Sequence, residues 1–140
     1  MITALTDSLS VTHAQQVRDL DPDHEYDFIV TMGYFDQLGY TRPEYSDTGD
    51  EHVFPDGPHE YTDFKDAVDS IREALATGKN VLVHCQAGCS RSPSACIAVL
   101  AVEDGYSYEE AYERVRRLHE KTNPTPELEA SARRYIQEQL

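Results

Sequence analysis

One tract constrains this chain more than any other: VLVHCQAGCSRSPS, residues 81–94. Residues 81–83 are a short, wholly apolar run bracketed by Gly78 and a polar loop, the pattern of a central strand buried on both faces. Residues 93–102 are apolar nearly all round, the pattern of a buried helix. Pro93 suits its first turn and Gly105 its end. A buried strand therefore runs through a glycine-containing loop straight into a buried helix.

The remaining elements follow from periodicity and turn chemistry. Residues 26–32 (YDFIVTM) are apolar and partly β-branched, and predict a strand ended by Gly33. Residues 36–50, rich in Gly, Pro, Asp and Thr, predict a loop. Val53-Phe54 is a short apolar pair, taken as a short strand, that runs into the turn signal Pro55-Asp56-Gly57-Pro58. In residues 61–77 the apolar positions Phe64, Ala67, Val68, Ile71 and Leu75 keep helical spacing, with Thr62 as N-cap and Gly78 as stop. Ser107 to Glu110 forms a capping box. Thr125-Pro126 opens a last helix with Leu128, Ala132, Tyr135, Ile136 and Leu140 on one side. Strands mixed with helices in this order predict an α/β domain with helices packed on a small central sheet. No repeat, low-complexity stretch or boundary interrupts the chain, and residues 1–140 are expected to form a single domain.

Charge narrows the partners. Twenty-six acids face twelve bases, a formal charge of −14. Residues 1–70 hold sixteen acids and three bases (Arg18, Arg42, Lys65), and the remainder is nearly balanced. Such a surface repels nucleic acid and anionic lipid, and neither is an expected partner. Only three of the twelve bases are lysines. This acid-rich, lysine-poor balance resembles proteins of salt-loving organisms; an ordinary acidic cytosolic protein is the alternative. No apolar run reaches the roughly 20 residues of a membrane span, and the first ten residues lack the basic flank and apolar stretch of a secretory signal. Cys85, Cys89 and Cys96 are odd in number and too closely spaced to frame a disulfide scaffold, which favours a reducing interior. A cytoplasmic monomer is expected. His13, His24, His52, His59 and His119 show no metal-ligand spacing, so neither metal nor cofactor is expected.

The loop from Cys85 to Arg91 suits a phosphate dianion. A helix N-terminus offers free amides and the positive end of a dipole. A tight loop around that end adds inward N–H groups, and Gly88 permits the positive φ the curl needs. Arg91 offers a planar fork for two phosphate oxygens. The same positive field favours the thiolate at Cys85, which would lie under a bound phosphorus.

With His-Cys-x5-Arg-Ser in this setting, the chain resembles the cysteine-dependent protein phosphatases, most closely their dual-specificity branch. Cys89 is the main departure in the loop, where an apolar residue is usual. The resemblance runs from about residue 26 to the last helix and is weak before residue 50. It implies a mixed, mostly parallel sheet, and a phosphate site built from Gln86, Ala87, Gly88, Cys89, Ser90 and Arg91. It implies Cys85 as nucleophile, Arg91 as phosphate clamp, Ser92 as hydrogen-bond donor to the departing sulfur, and His84 as structural support beneath the loop. The general acid is expected at Asp56, because Phe54-Pro55-Asp56-Gly57 is similar to the family's Trp-Pro-Asp loop. Asp50, in a polar loop, and Asp63, in a first helical turn, compete with it. Phosphorylated proteins are the implied substrates, phosphotyrosine first and phosphoserine or phosphothreonine in addition.

Each residue also has a plainer role. Asp56 is ordinary turn chemistry, Ser92 a helix N-cap, and Cys96 a small core residue. Cys89 could pair with Cys85 in a protective disulfide. The Arg114, Arg116, Arg117 cluster is a solvated helix face or an attractor of phosphorylated partners. The rival functions are a silent phosphoprotein-binding module, a phosphatase for a non-protein phosphomonoester, and a rhodanese-type sulfur transferase.

The acid excess yields a direct expectation. Salt shortens the reach of charge repulsion from about 10 Å at 0.1 M to about 3 Å at 1 M. The thermal unfolding midpoint should therefore rise between dilute buffer and molar NaCl. A midpoint that stays flat or falls would show that the acids do not oppose folding.

Overall fold

A computed structural model describes residues 2–33 and 48–140, which contain one five-stranded sheet. The strands are β1 (Thr3–Ala4), β2 (Leu9–His13), β3 (Phe28–Met32), β4 (Gly49–His52) and β5 (Val81–Cys85). The helices of the described residues are α1 (Ala14–Arg18), α2 (Tyr61–Ala76), α3 (Arg91–Asp104), α4 (Tyr108–Leu118) and α5 (Pro126–Glu138). Strand order is β1-β2-β5-β3-β4. Only the β1–β2 pair is antiparallel; β2–β5, β5–β3 and β3–β4 run parallel. The fold is thus α/β, with a mixed, mostly parallel sheet flanked by helices. No helix of the described residues is long and apolar enough to cross a membrane.

Strand β5 is the axis of the sheet. Val83 pairs with Val11 on one side and Val30 on the other, and all five residues of β5 are buried. Successive side chains point to opposite faces. Val81, Val83 and Cys85 join the main core with Leu9, Val11, Val30 and Met32, whereas Leu82 and His84 are buried outside that cluster. Helix α3 is buried from Arg91 to Ala101, as its unbroken apolar run predicts. It packs against the sheet and against α2, α4 and α5.

Helix α2 buries Phe64, Ala67, Val68, Ile71 and Ala74, close to the predicted stripe. Its start differs from expectation. Glu60, not Thr62, occupies the N-cap, and it makes no side-chain cap bond. Tyr61 is drawn into the first turn by tertiary contacts: its hydroxyl donates to Glu138 Oε1 at 2.6 Å, and the Arg134 guanidinium lies 3.9 Å above its ring. The capping box of α4 is complete, Ser107 Oγ accepting from the Glu110 N–H and Glu110 Oε1 from the Ser107 N–H. Thr125 caps α5 with Pro126 in its first turn. Leu128, Ala132 and Tyr135 are buried as expected, but α5 stops at Glu138 and Leu140 is 91% exposed.

Two readings need correction at the sheet edge. Residues 49 and 50, assigned to a loop, begin strand β4; of the rest of that assignment, Thr48 is a bend and residues 36–47 lie outside the described residues. β4 reads Gly-Asp-Glu-His and carries no strand-like side-chain pattern. Parallel pairing to β3, from Ile29↔Gly49 to Met32↔His52, is made by backbone groups, and an edge position tolerates polar side chains. The strand expected at Val53-Phe54 is therefore displaced to Gly49–His52, while Phe54 is buried at 2% exposure just beyond it. Strands β1 and β2 and helix α1 had no counterpart in the sequence reading.

Candidate active site

Cys85 ends β5 and Arg91 begins α3, at the carboxyl edge of the parallel strands, where open α/β sheets place their ligands. Cys85 is 2% exposed and its Sγ lies 3.1 Å from Ser92 Oγ. Ser92 is not the helix cap. Ser90 leaves helical geometry (φ −125°, ψ −66°) and takes that position, and its own hydroxyl accepts the Thr125 N–H at 2.9 Å. The Ser92 hydroxyl is thereby available to the sulfur.

Three of the loop carbonyls are taken by flanking donors. The Ala14 N–H bonds to Gln86 O at 3.1 Å, His119 Nε2 to Gly88 O at 2.7 Å, and the Asn123 N–H to Cys89 O at 2.7 Å. No peptide among the described residues is cis. A trans peptide sets each carbonyl opposite the next N–H. The amides of Ala87, Cys89 and Ser90 therefore point away from those donors, in the loop that leads into the first turn of α3. This is the geometry of an anion nest. Gly88 is required twice over: φ is +73°, and a Cβ there would lie 2.9 Å from the Thr12 carbonyl oxygen.

Arg91 is buried at 7% exposure. Its guanidinium donates to Phe54 O at 2.9 Å and lies against Gly33, where a Cβ would come within 3.2 Å of it. Among the described residues Arg91 Nε has no partner. A buried donor of this kind is costly unless a ligand meets it.

His84, next to Cys85 on β5, is fully buried. Its Nδ1 faces Cys85 O at 3.4 Å and its Nε2 faces Thr31 Oγ1 at 2.7 Å. The carbonyl can only accept, so Nδ1 carries the proton and Nε2 accepts from the Thr31 hydroxyl. Burial pushes its pKa down to about 4, so the ring is neutral at neutral pH. Cys96 sits in the core of α3, where burial pushes its thiol up and keeps it protonated. Cys89 is a free, half-buried thiol whose Sγ lies 3.6 Å from Ala87 O.

The three acid candidates separate. Asp56 is exposed on the segment that follows β4, and Thr125 Oγ1 lies 3.5 Å from its Oδ1. The same segment supplies the Phe54 carbonyl to Arg91, which ties it to the Cys85 loop. Asp50, moved from a loop to β4, pairs with Val30, whose other neighbour is Val83, two residues short of Cys85. Burial opposes its charge, but hydrogen bonds from His52 and Ser70 outweigh this and hold its carboxyl below the usual range. It is a committed acceptor on the sheet edge. Asp63 lies in the first turn of α2, as predicted.

Sequence reasoning missed the buttress. His119, Asn123 and Thr125 grip the loop from the α4–α5 connection, and Gly33 makes room for Arg91. No local pattern marks them, because each acts on a residue distant in the chain. His119 spans Gly88 O and, at 2.8 Å, Thr3 Oγ1 of β1.

The end of β5 and the start of α3 thus bring together the Cys85 thiol, the Ser92 hydroxyl and the buried Arg91, to which the segment carrying Asp56 is tied through Phe54 O. The family model "Dual specificity phosphatase, catalytic domain" matches residues 50–137. The chain belongs to this family. It is 38% identical over 61 residues to dual specificity protein phosphatase 5 of Rattus norvegicus, an alignment covering 44% of this chain and 16% of that relative's length. Human DUSP28 superimposes with a TM-score of 0.81 at 18% identity, covering 98% of this chain and 93% of the other. Tk-PTP in its active form gives 0.80 at 20% identity, covering 97% and 96%. These structural likenesses extend the shared fold to the strands before residue 50.

Gly88→Ala should disrupt the nest. The positive φ alone costs a non-glycine residue roughly 1–2 kcal/mol, and the Thr12 carbonyl blocks the added methyl. Affinity for vanadate, measured by calorimetry, should fall at least about tenfold, since a displaced amide forfeits about 1.5 kcal/mol or more of charge-assisted hydrogen bonding. Unchanged affinity would contradict the nest geometry.

Proposed function

We propose that this chain is a cysteine-dependent phosphatase acting on phosphorylated proteins, phosphotyrosine first, through a cysteinyl-phosphate. The observation that carries this reading is the placement of Cys85 Sγ 3.1 Å from Ser92 Oγ, with Cys85 ending the central strand and Arg91 opening the buried helix that follows. Family membership supports it.

In the first step the Cys85 thiolate attacks phosphorus and forms the S–P bond. The bond from phosphorus to the substrate oxygen breaks, and Asp56 gives that oxygen its proton. Arg91 and the amides of the loop from Gln86 to Arg91 hold the equatorial oxygens as their charge rearranges. In the second step the Asp56 carboxylate takes a proton from water, whose oxygen attacks phosphorus. The S–P bond breaks, and the thiolate leaves under a hydrogen bond from Ser92. Each group the scheme needs is a protein side chain or amide, so neither metal nor cofactor enters it.

The test is hydrolysis of p-nitrophenyl phosphate and a phosphotyrosine peptide in the presence of a metal chelator. Wild type should turn over both, and Cys85→Ser should abolish turnover. Asp56→Asn should lower the peptide rate by about 10²–10⁴-fold, the usual weight of a general acid. Folded wild type without turnover would point to a binding module, and thiocyanate formation from thiosulfate and cyanide to a sulfur transferase.

A further inference from the structure

We propose that His59 is a positioning residue that holds Asp56 over the phosphate site, an inference that rests on Asp56 being the general acid. Asp56 is exposed, and its one described side-chain contact, to Thr125 Oγ1, is long at 3.5 Å. Its carboxylate is therefore placed by its backbone. His59, three residues on, fixes that backbone from both sides. Its Nδ1 is 2.6 Å from Gly57 O, the carbonyl next to Asp56. Its Nε2 is 2.7 Å from Ser131 Oγ on α5. Its ring packs on Phe54 at 5.3 Å between centroids, two residues before Asp56.

Proton placement follows from the acceptors. The Gly57 carbonyl can only accept, so Nδ1 carries the hydrogen and Nε2 accepts from the Ser131 hydroxyl. A neutral imidazole fills both roles at once. The anchor on α5 matters because Thr125, at the N-cap of that helix, also donates its N–H to Ser90 of the phosphate loop. The acid segment and the phosphate loop are thus referenced to one rigid helix. A misplacement on the order of 1 Å can cost about a hundredfold in rate.

The kinetic signature is specific. A leaving oxygen of high basicity needs the acid's proton, and one of low basicity does not. kcat/KM reports only the steps up to formation of the cysteinyl-phosphate, so base action by Asp56 in the second step does not enter it. We would measure kcat/KM for phenyl phosphate (poor leaving group) and 2,4-dinitrophenyl phosphate (good leaving group). The variants are His59→Ala, His59→Asn, Ser131→Ala, Asp56→Asn and the pair His59→Ala with Asp56→Asn, with thermal unfolding as a check on folding.

The expected result is a loss of about tenfold on phenyl phosphate for His59→Ala and less than about twofold on the dinitrophenyl ester. His59→Asn keeps a donor for Gly57 O and should recover part of the loss. His59→Ala should add nothing in the Asp56→Asn background. Should His59→Ala fail to fold, Ser131→Ala removes only the Nε2 contact and should show the same leaving-group dependence at smaller size. Equal losses on both esters, no loss, or full additivity with Asp56→Asn would overturn the role of His59 and leave Asp56 in place. An Asp56→Asn variant equal to wild type on phenyl phosphate would overturn the acid assignment and this inference together.

Discussion

A seven-residue loop can turn its amides inward only if other groups take its carbonyls. Here the carbonyls of Gln86, Gly88 and Cys89 are met by Ala14, His119 and Asn123, from three places in the chain. The rest of the molecule is arranged to bring these donors there. β5 must be central so that β2 and α1 can deliver Ala14 on one side. Helices α4 and α5 must turn back across α3 so that their connection can deliver His119, Asn123 and Thr125 on the other. The backbone thereby carries the positive potential that a phosphate dianion needs. This suits a chain with a formal charge of −14, in which side-chain cations are scarce.

Arg91 concentrates the remaining charge. It is buried, it forms no ion pair among the described residues, and its one described hydrogen bond goes to the neutral Phe54 carbonyl. Burying an unpaired charge is strongly unfavourable. In the proposed reaction a bound dianion would be the counterion that removes this penalty. The net charge of −14 has the opposite effect on incoming anions.

The sequence revealed the centre of this device and hid its supports. Residues 81–104 were legible because a strand and a helix buried on all sides leave solid apolar runs, and because Gly88 and Arg91 have few other reasons to stand between them. Helices α2, α4 and α5 were legible from spacing and caps. Strand β4 was not, because Gly-Asp-Glu-His joins the sheet through backbone bonds alone. β2 was overlooked although Leu9 and Val11 alternate with Ser10 and Thr12. The contacts of His59 with Ser131 and of His119 with Gly88 leave no local pattern, since the partners lie 72 and 31 residues away. Side chains that bind substrate cluster in one motif, whereas those that hold the motif in shape come from wherever the fold passes.

The proposed reaction turns on the passage of phosphate through the Cys85 sulfur. The most direct measurement is rapid acid quench during turnover of an aryl phosphate, followed by peptide mass spectrometry. A phosphate adduct is expected on the peptide containing Cys85, localised to that residue, absent in Cys85→Ser and enriched in Asp56→Asn with a good leaving group, where the second step lacks its base. Turnover with no adduct at Cys85, or an adduct on another residue, would contradict it.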